Sequence, residues 1–157
     1  MAKHLTKAQV LDKLQKYCIY QDRCHTEVRT KLLQLQVYGD ELEEVMSKLI
    51  EDGFLNEERY AIAYASGKFR INHWGKRKIM LGLKSKHISD YCIQKALQKI
   101  DQKEYNETIA NLSQKKAASL SELDDFHKNQ RVFQYLWGKG YTYEDILPFI
   151  NTPSTPC

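Results

Sequence analysis

Apolar residues recur at three-and-four spacing along most of the chain. Val10, Leu11, Leu14, Tyr17 and Cys18 form one stripe; Leu42, Val45, Met46 and Leu49 form another. Tyr60, Ile62, Ala63 and Tyr64 continue the pattern, followed by Ile79 and Leu83, then Ile88, Cys92, Ile93, Ala96 and Leu97. That period places each set on one face of an α-helix. No segment sustains the alternation of a strand. Pro148, Pro153 and Pro156 all lie in the last ten residues, so nothing before them breaks a helix at the cost of a buried proline. The prediction is all-α, with nine short helices. Thr6 caps a first, reaching about Tyr20, Thr26 a second, ending before Gly39, and Asp40 a third, stopping near Gly53. Asn56 starts a fourth, fading near Arg70; Gly75 precedes a fifth; Ser89 caps a sixth, reaching about Ile100. A seventh covers roughly Lys103 to Leu120, an eighth about Asp124 to Trp137, and Thr142 caps a short ninth that Pro148 interrupts.

Nine helices fall into three groups of three. Shifts of 51 and then 53 residues superpose Val28, Ile79 and Val132, and likewise Leu32, Leu83 and Leu136. The same shifts superpose Val37, Ile88 and Tyr141, then Leu42, Ile93 and Ile146. The turns match in place as well: Gly39 just after Val37, His87 just before Ile88, Gly140 just before Tyr141. These offsets predict three tandem three-helix repeats of about 50 residues, stacked into an elongated, curved body. The expected division is 1–55, 56–102 and a more divergent 103–150, with 151–157 as a frayed tail. Leu32, Leu42, Leu49, Tyr60, Ile79, Leu83, Ile93 and Leu97 are the expected core, and Gly53 and Gly75 the expected turn or helix-end glycines.

Composition excludes several classes. At 157 residues, 42% hydrophobic and 28% charged, the chain can bury a core, and no apolar run is long enough to span a membrane. Met1 to Thr6 carries no apolar signal core, and the four cysteines are irregularly spaced, which together predict a reduced cytoplasmic protein. The net charge of +4 is unevenly spread. Residues 40–58 carry eight acidic side chains against Lys48 alone. Residues 59–89 carry eight basic ones and no acid: Arg59, Lys68, Arg70, Lys76, Arg77, Lys78, Lys84 and Lys86. Such a field attracts an anionic surface, either nucleic acid or an acidic protein patch. Trp74 sits within it, either as a core anchor or as a stacking contact, and Arg59 either ties two units together through a carboxylate or touches a partner.

Catalytic chemistry finds no footing. Gly67-Lys68, Gly75-Lys76 and Gly138-Lys139 do not end a phosphate-binding loop. Cys18, Cys24 and His25 lack the second close pair that structural zinc needs, and Asp124, Asp125 and His127 read as a helix start. The pairs Glu43-Glu44 and Glu57-Glu58 point different ways on a helix. No cofactor, metal or catalytic residue is predicted.

Three runs carry a family likeness. Glu27-Val28-Arg29-Thr30-Lys31-Leu32 resembles the E-L-R-x-K-L signature of RecX-type regulatory proteins. Asp52-Gly53-Phe54-Leu55-Asn56-Glu57-Glu58-Arg59-Tyr60-Ala61 is similar to that family's junction between its first two units. Trp74-Gly75-Lys76-Arg77-Lys78-Ile79, with Leu83 and Ile88, resembles its second unit. The likeness covers about Ala8 to Leu97; the third unit matches only in pattern. Val28, Asn56 and His87 depart from the commoner residues, and two extra residues separate Leu32 from the turn at Gly39. The resemblance implies a non-enzymatic protein of three three-helix repeats that lies in the groove of the RecA recombinase filament and restrains its ATP hydrolysis, growth and strand exchange, in some members with DNA binding too. The basic surface suited to that role is assigned to Arg29 and Lys31 in the first unit and to Lys68, Arg70, Trp74, Lys76, Arg77, Lys78, Lys84 and Lys86 in the second. The alternative is direct binding of single- or double-stranded DNA by the basic second repeat. No dimer seam is evident, so a monomer is expected.

Overall fold

The computed structural model describes residues 4–150; the tail expected at 151–157 lies outside the described residues. Nine α-helices and one short 3-10 turn make up the regular structure among the described residues. They are α1 (Lys7–Tyr20), α2 (His25–Gln34), α3 (Gly39–Glu51), α4 (Glu57–Asn72), α5 (Lys76–Ser85), α6 (Asp90–Gln98), α7 (Gln102–Ala118), α8 (Asp125–Lys139) and α9 (Tyr143–Ile146), with the 3-10 turn at Leu147–Phe149. Consecutive triplets pack together as three-helix units.

The repeat is exact in its burial. All twelve aligned positions, from Val28 to Ile146, are buried. The turn between the second and third helix of each unit is also the same object three times. The residue before Val37, Ile88 and Tyr141 takes a left-handed backbone: Gln36 (φ 63), His87 (φ 60) and Gly140 (φ 102). The amides of Val37, Ile88 and Tyr141 donate to the carbonyls of Leu32, Leu83 and Leu136 at 2.9, 3.2 and 3.2 Å, closing the helix end in the same way. The equivalent of Gly140 in the first unit is therefore Gln36 and not Gly39, and no extra residues separate Leu32 from the turn.

Most helix starts follow the predicted caps: Thr6, Asn56, Ser89, Asp124 and Thr142 each accept from a backbone amide of the first turn. Two do not. The cap of α2 is Cys24, with no side-chain bond to a first-turn amide, and the Thr26 hydroxyl donates instead to the Lys86 carbonyl at 3.2 Å. Tyr38, not Asp40, precedes α3, again with no side-chain cap. Thr26 is drawn away from capping by a neighbour in the next unit, a contact that local sequence does not encode.

Two apolar cores form. The first unit closes around Leu14, Leu32 and Leu49. The second and third share one core, running from Ala61 and Leu83 to Ile109 and Leu136, and Cys24 of the first unit also enters it. Of the expected core residues only Leu97 is partly buried, at the margin. Three tyrosines lie in the shared core, and burial, the largest cause at each, pushes Tyr60, Tyr105 and Tyr141 well above their ordinary value. Their folded-state pKa values exceed the unfolded ones, so stability should be complete below about pH 10 and fall as pH rises beyond it. Denaturant midpoints followed from neutral to strongly alkaline pH should drop in step with late tyrosinate absorbance. A flat midpoint would contradict this.

Candidate partner-binding surface

Neighbouring units meet at two joints. At the first, Glu27 of α2 gathers four partners. Its carboxylate accepts from the Cys24 thiol at 3.2 Å, pairs with Arg23 at 3.6 Å and Lys86 at 4.0 Å, and lies beside Tyr60, where its charge adds to burial in raising the phenol's pKa. Arg59 adds a second tie. Its Nε donates to Asp22 at 2.8 Å, and its other nitrogens donate to the carbonyls of Gly53 and Phe54 at 3.0 and 3.1 Å. Of the two readings of Arg59, the structure shows the tie between units. Burial raises the thiol pKa of Cys18 and Cys24, which suits packed sulfurs.

The second joint is made of backbone. The amides of Gly75 and Arg77, at the start of α5, donate to the carbonyls of Lys139 and Gly140 at 2.8 and 3.0 Å. Lys76 N–H donates to the Tyr105 hydroxyl at 3.0 Å, and that hydroxyl donates onward to Asp145 at 3.0 Å. The unpaired donors of one helix start thus meet the unpaired acceptors of another helix end.

These joints sort the ten predicted surface residues. Arg77 is held inside the second joint: its guanidinium stacks 4.1 Å from the Trp137 ring centre and bonds the Trp137 carbonyl. Lys76 lies over Tyr105 at 4.8 Å, and Arg70 faces Glu104 at 3.6 Å, both toward α7. Arg29 is bound bidentately by Glu43 at 2.6 and 3.1 Å, which holds the Glu43 carboxyl below its usual range. The remaining residues converge. Lys68 and Lys78 flank the half-buried Trp74 ring at 4.8 and 4.7 Å, and Lys68 also lies 5.5 Å from Tyr64. Tyr64, Lys68 and Lys86 line one shallow groove at the first joint, and Lys31 and Lys86 line a second beside it. A stripe therefore runs from Lys31 through Lys86, Tyr64, Lys68 and Trp74 to Lys78. Lys84 is exposed on the outer side of α5.

Sequence reading missed Tyr64 and Trp137 as partners of these cations. The repeat shifts held the signal for Trp137, since they align it with Leu33 and Lys84 on the outer face. Tyr64 could be found only from Gly82, whose missing side chain leaves room for the Tyr64 hydroxyl.

Three helix triplets joined end to end, with cations alternating with aromatic rings across their joints, define a tandem three-helix-repeat protein. Residues 56–97 match the family model for the second three-helix domain of RecX, and residues 103–150 match that for the third. The chain belongs to the RecX family. It is 30% identical over 130 residues to the regulatory protein RecX of Bacillus mycoides (strain KBAB4), covering 83% of this chain and 48% of that one. It is 32% identical over 120 residues to that of Clostridium perfringens (strain 13 / Type A), covering 75% and 56%. The chain thus spans about half the length of the curated relatives it matches. The crystal structure of RecX from Lactobacillus salivarius superposes with a TM-score of 0.85 at 28% identity, over 92% of this chain and 94% of that one. A second crystal structure, of a regulatory protein RecX, has the same fold with a TM-score of 0.79 at 21% identity, over 93% and 74%. No helix among the described residues is long and apolar enough to cross a membrane.

Proposed function

We propose that this protein is a non-enzymatic, cytoplasmic regulator of the RecA recombinase, which lies in the groove of the nucleoprotein filament and restrains ATP hydrolysis, filament growth and strand exchange. The observation that carries the reading is the cation–aromatic stripe from Lys31 to Lys78 on a member of the RecX family. A groove in a polymer is met better by a long surface of several weak contacts than by one deep pocket. Direct DNA binding is the second reading, supported by the Trp74 ring between two lysines, since stacked bases and phosphates suit such a pair.

The test is single-stranded-DNA-dependent ATP hydrolysis by RecA, with this protein titrated from well below equimolar. The rate is expected to fall before naked DNA is appreciably bound. Lys68→Glu/Lys78→Glu/Lys84→Glu, which spares Arg77 and the joint, should need about tenfold more protein, three reversals costing roughly 0.5 kcal/mol each. Unchanged hydrolysis together with tight binding to bare DNA, steeply lost with salt (a log–log slope near about −5 for five or six phosphate contacts), would favour the second reading. An unaffected triple variant would remove the stripe from the assignment.

A further inference from the structure

Helix α8 carries two stripes. Val132 and Leu136 face the shared core. On its outward side Phe126, Gln130, Phe133, Gln134 and Trp137 follow one another at three-and-four spacing and so share one face. Phe126 is 60% exposed and Trp137 44%. Phe133 ties the rings together: it stacks on Trp137 at 6.0 Å between ring centres and meets the exposed Tyr143 edge-on at 5.9 Å. Phe126, Gln130, Phe133, Gln134 and Tyr143 line one open groove of about 430 Å³.

This face has a direction. Its start is acidic, with Glu122, Asp124 and Asp125. Its end is basic, with Lys139 and with Arg77, whose guanidinium covers Trp137. Gln130 lies midway between Glu122 and Lys139, and Phe126 and Gln134 stand four residues to either side of it.

We propose that this face pairs with the same face of a second copy, the two α8 helices running antiparallel about a two-fold axis at Gln130. Turned end for end, the acidic start of each helix meets the basic end of the other, whereas a parallel pairing would set acid against acid. At the axis one glutamine meets its own copy. A carboxamide both donates and accepts, so the two satisfy each other between flanking rings, as a single buried amide does when it fixes the register of a coiled coil. To either side, Phe126 of one copy comes to lie over Gln134 of the other, and the Trp137 end of each faces the Leu123 turn of the other. An aromatic side chain carries about 150–250 Å². The half-exposed Phe126, Trp137 and Tyr143 thus offer together about 300 Å² per copy, against the roughly 800 Å² per partner of a stable interface. The amides and charged ends add to this, and the dimer is a weak one, with a dissociation constant on the order of 100 µM. The contact is isologous and closes at two copies. This departs from the monomer expected from the sequence. It rests on α8 and its flanks and needs neither recombinase nor DNA.

Sedimentation equilibrium of the full chain alone, from about 10 µM to about 1 mM, tests it. The weight-average mass should rise from one copy and level off at two. Gln130 is exposed, so its exchange spares the core, and circular dichroism verifies that the variants fold. Gln130→Glu and Gln130→Lys each set like charges against each other on the axis, and each should weaken dimerisation by at least about tenfold. Mixed in equal amounts, the two variants bring opposite charges together on the axis and should regain the association of the wild type. A wild-type chain that stays monomeric throughout overturns the proposal and leaves the face to a partner of other sequence. Growth beyond two copies overturns it as well. So do single variants that associate like the wild type, or a mixture no more associated than its components, since either would put Gln130 off the axis.

Discussion

Gly75→Ala should lower stability by about 3 kcal/mol, which for a chain of this size is a fall in melting temperature of about 10 °C. The cause is space, not conformational freedom. The backbone of Gly75 is extended (φ −76), which any residue can adopt. A β-carbon there would lie 2.3–2.4 Å from the carbonyl carbon and oxygen of Gly140 and the amide nitrogen of Tyr141, and none of these is the end of a flexible side chain. To admit a methyl group the two units must part, and the hydrogen bonds of Gly75, Lys76 and Arg77 are lost or stretched. Gly67→Ala is the control: it lies inside α4 with nothing within 4 Å of its added carbon, so alanine there should be neutral or stabilising by up to about 1 kcal/mol. Thermal melts of both decide the matter. An equal response would show that the close approach carries no weight.

Glu27→Ala should be the next most damaging change, at about 2 kcal/mol. The carboxylate is 24% exposed and Arg23 only 13%, so removal leaves a largely buried guanidinium to the Tyr17 carbonyl and ring, without its carboxylate, and leaves the Cys24 thiol without its acceptor. Glu27→Gln keeps an acceptor and should cost less than half as much. Denaturant titration of the three proteins measures both. A glutamine variant as weak as alanine would place the effect in the charge rather than in the hydrogen bonds. Because the first unit has a core of its own, the alanine variant should also loosen it from the rest, seen as a broadened transition in which α1–α3 unfold early.

The fold was legible because each unit must bury the same stripe. Val28, Leu32, Val37 and Leu42 declare themselves by spacing, and their counterparts follow at fixed shifts. The junction run was legible for a second reason: nearly every residue in it has a separate structural task. Gly53 turns left-handed, Leu55 is buried, Asn56 caps α4, Glu57 accepts from the Ser89 amide, and Arg59 and Tyr60 reach back to the first unit. What stayed hidden was set by tertiary contact. Nothing marks Gln36 as left-handed, because its glycine-like backbone is imposed by the turn's hydrogen bonds. Nothing in a run of eight cations reveals that Arg77 faces inward to Trp137 while Lys78, one residue on, faces Trp74. A charge count sees a patch; the joints divide it into cations that fasten the units and cations left on the open stripe.

The two joints also differ in what they ask of inheritance. The first is written in side chains, so Glu27 is bound to Arg23 and Lys86, and Arg59 to Asp22. The second is written largely in backbone, and amides and carbonyls are the same whatever residue carries them. Around it, sequence is free to drift so long as two glycines keep the units close. A lineage can therefore rewrite the outer surface of the third unit without disturbing how that unit is hung on the second.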